Sequence, residues 1–219
     1  MSIDERLEDA LRALPLFPLP GTVLFPHTLL PLHVFEPRYR QLTEHVLEGH
    51  GHIGVVCCDP LRGDAPVPDV AAVTGVGRVV RCERLSGGRF HLLLQGVARA
   101  ALHAELPAQG LLYRRAVAAP HHHDDDQQGA ADEVRALRAC YLRLLQCCPD
   151  ARHMFGELPL CACEPRVLAD IACAALLQDP AERQRALEEA SVVRRLRCAN
   201  DALAALLLHG LPMPKHGLN

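Results

Sequence analysis

The chain has 219 residues, 49% hydrophobic and 22% charged, enough to bury a core and too apolar for a disordered chain. Its net charge of −3, from 23 basic and 26 acidic residues, creates no global field for nucleic acid or anionic membranes. No run approaches the roughly 18 apolar residues of a bilayer span.

The first residues, MSIDERLEDALRAL, are acidic and lack the apolar core of a secretory signal; Ser2 and Glu5 suggest the capping box of a short helix. Ten cysteines without an export signal point to free thiols in a reducing cytoplasm, so a cytoplasmic location is expected. The one lysine, Lys215, stands against 22 arginines, a skew that reads as coding bias and not as phosphate recognition.

Leu14 to Leu32 reads as two or three short strands broken by Pro15, Pro18, Pro20, Pro26 and Pro31, with a turn at Pro20-Gly21. Proline cannot donate to a ladder, so these prolines belong at strand ends, edges or bulges and are architectural. Glu36-Pro37 opens a helix that buries Tyr39, Leu42 and Val46 and stops at Gly49. IGVVCC (53–58) is a strand apolar on both faces, and DPLRGDAPVPD is a loop. A hairpin follows, VGRVVRCERL and RFHLLLQGVARAAL joined by Ser86-Gly87-Gly88, with Phe90, Leu92 and Leu94 on one apolar face. LLYRRAVAA adds a strand ending at Pro120.

After HHHDDDQQGAAD the strand signals stop. Four helical segments follow, with apolar stripes Leu137/Tyr141/Leu144/Leu145 and Leu196/Leu203/Leu206/Leu207. Asp132 and Ser191 are the expected N-caps, and Pro165 and Pro180 mark helix starts. The expected class is α+β: a β-rich part over 1–120 with an inserted helix, a polar His/Asp linker over 121–131, and a helical part over 132–219.

Three stretches, LPLFPLPGTVLFPHTLLPLHVFEPRYRQL, IGVVCC and TGVGRVVRCERLSGGRFHLLLQGVARAAL, together with the closing helices, resemble the N-terminal, substrate-binding domain of Lon-type proteases over residues 13 to 208. FPLPGTVLFP and FEPRYR are similar to the stand-alone bacterial form. The resemblance implies a small bent sheet or pseudo-barrel of PUA-like type, and a non-catalytic module that recognises unfolded polypeptide or a specific protein partner. Homo-oligomer formation stays open. These 219 residues carry no G-x-x-x-x-G-K-[ST] phosphate loop and no serine beside a lysine, so neither ATPase nor Lon peptidase chemistry is expected.

The residues assigned to recognition are Phe17, Leu19, Val23, Phe25, Leu30 and Leu32, whichever of them the strands leave exposed. Glu36, Pro37, Arg38, Tyr39, Gly96 and Arg99 are assigned structural roles, with ion pairing of Arg38 and Arg40 to Glu36 and a partly buried Arg99 joining two segments. No cofactor is expected. The thiols lack paired C-x-x-C spacing, and His121, His122 and His123 offer adventitious metal binding on a flexible linker. Two other classes stay open. One is an RNA-binding PUA-like module on an arginine face (Arg78, Arg81, Arg84, Arg89, Arg114, Arg115); the other is a small-molecule protein with a pocket between the two halves.

Overall fold

A computed structural model describes residues 3–58, 70–124, 129–148, 151, 158 and 163–209. Helix α1 (Ile3–Arg12) leads into strands β1 (Leu14–Pro20) and β2 (Leu29–Val34), helix α2 (Pro37–Glu48), and strands β3 (His52–Cys58), β4 (Val73–Arg84), β5 (Phe90–Glu105) and β6 (Arg114–Pro120). Helices α3 (Ala130–Cys147), α4 (Pro165–Leu176), α5 (Pro180–Glu188) and α6 (Val192–His209) follow. The loop expected over 59–69 and the capping residue Ser2 fall outside the described residues, and none of the described helices is long and apolar enough to cross a membrane.

The sheet runs β2-β5-β4-β3-β1-β6, and β6 also pairs with β5. Five strands thereby close on themselves, with β5 long enough to serve two partners on one side. Its first half pairs with β2 and its second half with β6. β1 and β3 are parallel, joined by a crossover that includes α2; the other pairs are antiparallel.

The prolines of β1 follow from this pairing. β6 meets only Leu14–Leu16 and β3 only Leu16–Pro20. Gly21 N–H donates to Cys58 O, which sets odd residues toward β3 and even ones toward β6. Pro15 thus faces β3 before that pairing begins, and Pro18 and Pro20 face the β6 side after that pairing has ended. The freed Pro18 carbonyl accepts from Tyr39 Oη at 3.3 Å. No ladder bond is lost.

The loop between β1 and β2 crosses β4 and β5 at backbone contact. A Cβ on Gly75 would lie 1.9 Å from Leu24 O, and one on Gly96 would lie 2.1 Å from Phe25 O. His27 N–H donates to Gly96 O and Gly96 N–H to Thr28 O, both at 2.8 Å. The glycines of GVGR and GVAR are the floor on which Leu24 and Phe25 lie buried.

β3 separates two apolar clusters, one with α2 (Phe17, Tyr39, Leu42, Ile53, Val55, Phe90, Leu92, Leu94) and one with α1 (Leu11, Leu14, Leu16, Val56, Val76, Ala100). His52 opens β3 at 1% exposure; its Nδ1 contacts His50 O at 2.8 Å, and its Nε2 is buried without a hydrogen-bond partner. Burial pushes the His52 imidazole below its ordinary 6.5, and burial does the same to His50. A proton on Nε2 would have no acceptor, so the folded chain excludes it. As pH falls through 6.5 the unfolded chain takes up protons that the folded chain refuses, and stability falls until the lower folded value is reached. The urea midpoint is expected to be lower at pH 5.5 than at pH 7.5, with the difference reduced in His52→Asn; coincident midpoints would remove this role.

By contact, the chain divides into Met1–His123 with Asp179–Ala190, and Asp124–Gln178 with Ser191–Asn219. Helix α5 therefore belongs with the sheet, although the sequence reading assigned all of 132–219 to the helical part. Gln184 Nε2 donates to Val73 O at 2.9 Å. Arg99, 3% exposed on β5, donates through Nη1 to Leu187 O (3.0 Å) and Glu189 O (2.7 Å) at the C-terminal end of α5, where a cation is favoured.

In the second unit α3, α4 and α6 pack around Leu137, Tyr141, Leu144, Leu168, Leu196 and Leu203. An ion pair of Asp170 and Arg195 is fully buried within it. Ser191 caps α6, its Oγ accepting from Arg194 N–H at 3.2 Å, and Pro165 and Pro180 sit at helix starts as expected. Asp132 is not the cap of α3: Gly129, at φ 90°, precedes Ala130, and Asp132 falls in the first turn.

Candidate functional site

Among the described residues β2 is the open edge of the sheet, and its alternation decides what it displays. The Thr28 carbonyl bonds β5, so the backbones of Leu30, Leu32 and Val34 also face β5, and those of Leu29, Pro31 and His33 face away. Pro31 thus costs the β2–β5 ladder nothing and removes the central donor from the free edge. The side chains divide with the same parity. Leu30, Leu32 and Val34 turn to the core; Leu29, Pro31 and His33 are exposed, and Phe35 continues the row, with Leu29 and Phe35 each 60% exposed.

Cross-strand register extends this outer face in three rows: Leu29–Gln95–Arg78, Pro31–Leu93–Arg81 and His33–His91–Glu83. Arg78 donates to Gln95 Oε1 at 2.9 Å. His33 Nδ1 and His91 Nε2 are 3.2 Å apart, and the Phe35 ring meets the His33 ring edge-on at 5.9 Å. Between the rows runs a groove of about 560 Å³, with Pro31 and Leu93 as its apolar floor and His33, Arg81, Glu83 and His91 as its polar wall. At a bulge in β4, Val80 is exposed beside it.

A smaller cavity, about 300 Å³, lies where β1 parts from β6. Tyr39 and Tyr113 line it with Leu16, Pro18 and Leu106, and two ion-paired arginines stand at it. Arg38 pairs with Glu36 at 2.8 Å and lies 4.5 Å over the Tyr39 ring, and Arg114 pairs with Glu105.

Of the six residues assigned to recognition, Phe17, Val23 and Phe25 are buried, and Leu19, Leu30 and Leu32 pack against the core. Phe17 stacks on Tyr39 at 4.0 Å. The exposed set lies one residue away, because shifting strand parity by one position exchanges the two faces. Proline and histidine at 31 and 33 are the signal that marks the outward set.

The other candidates resolve as follows. Glu36 precedes α2 with Pro37 in its first turn. His121 Nε2 lies 2.8 Å from Glu188 O, and His123 Nδ1 accepts from Arg99 Nη2 at 2.8 Å, so the histidine run is engaged with α5 and Arg99 where a flexible linker was expected. Burial pushes the Cys57 thiol up, away from a reactive thiolate. Among the six arginines of the RNA reading, Arg78, Arg84, Arg89, Arg114 and Arg115 each contact a protein acceptor.

The model of the ATP-dependent protease La (LON) substrate-binding domain matches residues 13–205. The chain belongs to the Lon substrate-binding domain family. Among its relatives, Lon protease 4 of Sorangium cellulosum is 33% identical over 193 residues, covering 87% of this chain and 23% of that protein. Lon protease of Roseiflexus castenholzii is 29% identical over 190 residues, covering 86% and 23%. The chain thus spans about a quarter of these Lon proteases. Two solved structures share the Lon N-terminal fold. The N-terminal domain of Mycobacterium avium complex Lon protease has a TM-score of 0.67 at 15% identity, over 88% of this chain and 98% of that one. A Lon N-terminal domain protein from Xanthomonas campestris has 0.60 at 21%, over 91% and 99%.

Proposed function

We propose that this chain recognises protein substrates, holding extended apolar polypeptide segments against the outer face of β2 and β5, and has no ATPase or peptidase chemistry of its own. The observation that carries this is the row Leu29, Pro31, His33, Phe35 on an edge strand, two of its members large, apolar and 60% exposed. Isolated apolar residues on a surface are ordinary; a row at strand spacing beside an open groove matches an extended peptide. Backbone pairing supplies little here, because Pro31 interrupts the donors of the edge. Side-chain contact supplies the affinity, and dependence on salt is weak.

Fluorescence anisotropy of a labelled, permanently unfolded polypeptide tests the reading. Saturable binding, resisted by folded competitor, is expected, and Leu29→Asp with Phe35→Asp is expected to weaken it at least about tenfold, each buried apolar side chain being worth about 1.5–3 kcal/mol. Undiminished binding by the double variant moves the site from this face. Tight, salt-steep binding of RNA in place of polypeptide would replace the reading altogether.

A further inference from the structure

We propose that His33 and His91 form a two-histidine site for a late first-row divalent metal ion, which ties the edge strand β2 to β5. The facing nitrogens, His33 Nδ1 and His91 Nε2, are 3.2 Å apart on directly paired residues of neighbouring strands. Two imidazoles on one ion at about 2.0–2.1 Å lie about 2.9 Å apart at a right angle and about 3.4 Å apart at the tetrahedral angle. The observed separation falls between these limits, so an ion enters without moving either strand.

The third member of the row completes the chemistry. Glu83 Oε2 lies 4.0 Å from His91 Nδ1, the nitrogen away from His33. A carboxylate there favours a proton on Nδ1, which leaves the Nε2 lone pair facing His33. In the metal-free pair His33 Nδ1–H donates to that lone pair. When an ion binds, His33 changes tautomer to Nε2–H and presents a second lone pair, with no net proton released. Among the described residues no group of three or more His, Cys, Asp or Glu is arranged to hold a metal ion. The protein therefore supplies two donors, and water or a third ligand takes the remaining positions. With two imidazoles and open positions, copper(II) binds most strongly in the divalent series. The site does not depend on polypeptide binding.

Substoichiometric copper(II) titrated into the isotopically labelled chain gives the test by paramagnetic broadening in NMR spectra. The amide signals of Leu32, His33, His91 and Leu92 are expected to vanish first. Their loss is expected to disappear in His33→Gln with His91→Gln, and calorimetry with copper(II) is expected to show affinity reduced at least about tenfold. Both side chains are exposed, so the variants keep the fold, and the wild-type map needs no variant. Broadening that begins at His121–His123, or that survives at β2 and β5 in the double variant, overturns the proposal. Glu83→Gln separates its positioning role: weaker binding by about tenfold with the same signals broadened is expected.

Discussion

Asp170→Ala is expected to cost about 3–5 kcal/mol in chemical denaturation, a large share of the roughly 5–15 kcal/mol that holds a typical domain together. The Arg195 guanidinium is fully buried and its carboxylate partner comes from α4. Removing that carboxylate takes a counter-charge away from a fully buried guanidinium, whereas replacing both members does not leave the charge behind. Asp170→Leu with Arg195→Met is therefore expected to recover most of the loss. The comparison between single and double variants is the decisive one. A single variant that loses less than about 1 kcal/mol would mean that water reaches the guanidinium.

Gly96→Ala and Gly75→Ala are expected to be comparably severe. The added methyl meets a backbone oxygen in each case, Phe25 O at 2.1 Å or Leu24 O at 1.9 Å, and neither can rotate away as a side-chain end would. The loop must lift. That exposes part of Leu24 and Phe25, 2% and 0% exposed, and in the Gly96 variant breaks the bonds of His27 and Thr28. Overpacking of about 1–3 kcal/mol and lost burial of about 1.5–3 kcal/mol per side chain put each substitution near 3–6 kcal/mol. Gly87→Ala is the control, with nothing within 4 Å of its new methyl and only its φ of 74° to oppose it. It is expected to lose about 1 kcal/mol, read from the same urea curves. Equal losses at Gly87 and Gly96 would remove the loop-crossing explanation.

The elements legible in the sequence were those whose signals are local. Pro37 and Gly49 bracket α2, Ser191 caps α6, and the apolar run of β3 is buried on both faces because it divides two clusters. The prolines of β1 were read correctly as architectural, but which side each one faces depends on where β3 and β6 begin and end, and that is tertiary information. The exposed row of β2 lies one residue away from the assigned leucines for a related reason. In HTLLPLHVF both parities carry leucine, so apolar periodicity alone does not choose between Leu30/Leu32 and Leu29/Pro31. Only the pairing of Thr28 with Gly96 makes the choice. Nor did anything local mark α5 as a companion of the sheet, since its helical pattern is like that of its neighbours. The carbonyls that Arg99 holds, at Leu187 and Glu189, lie far along the chain.

That last arrangement has a consequence for synthesis. Gln184 reaches Val73 across 111 positions, and Arg99 reaches Leu187 across 88. A ribosome that has delivered every strand has not yet delivered the helix that caps them. Until Ala190 has left the exit tunnel, the Leu187 and Glu189 carbonyls are not yet available to Arg99, and the nascent sheet exposes the surface that α5 will cover. A chain ended after His123 would leave the strands in that unfinished condition permanently. The first unit is discontinuous in sequence, so no single break in the chain divides one unit from the other.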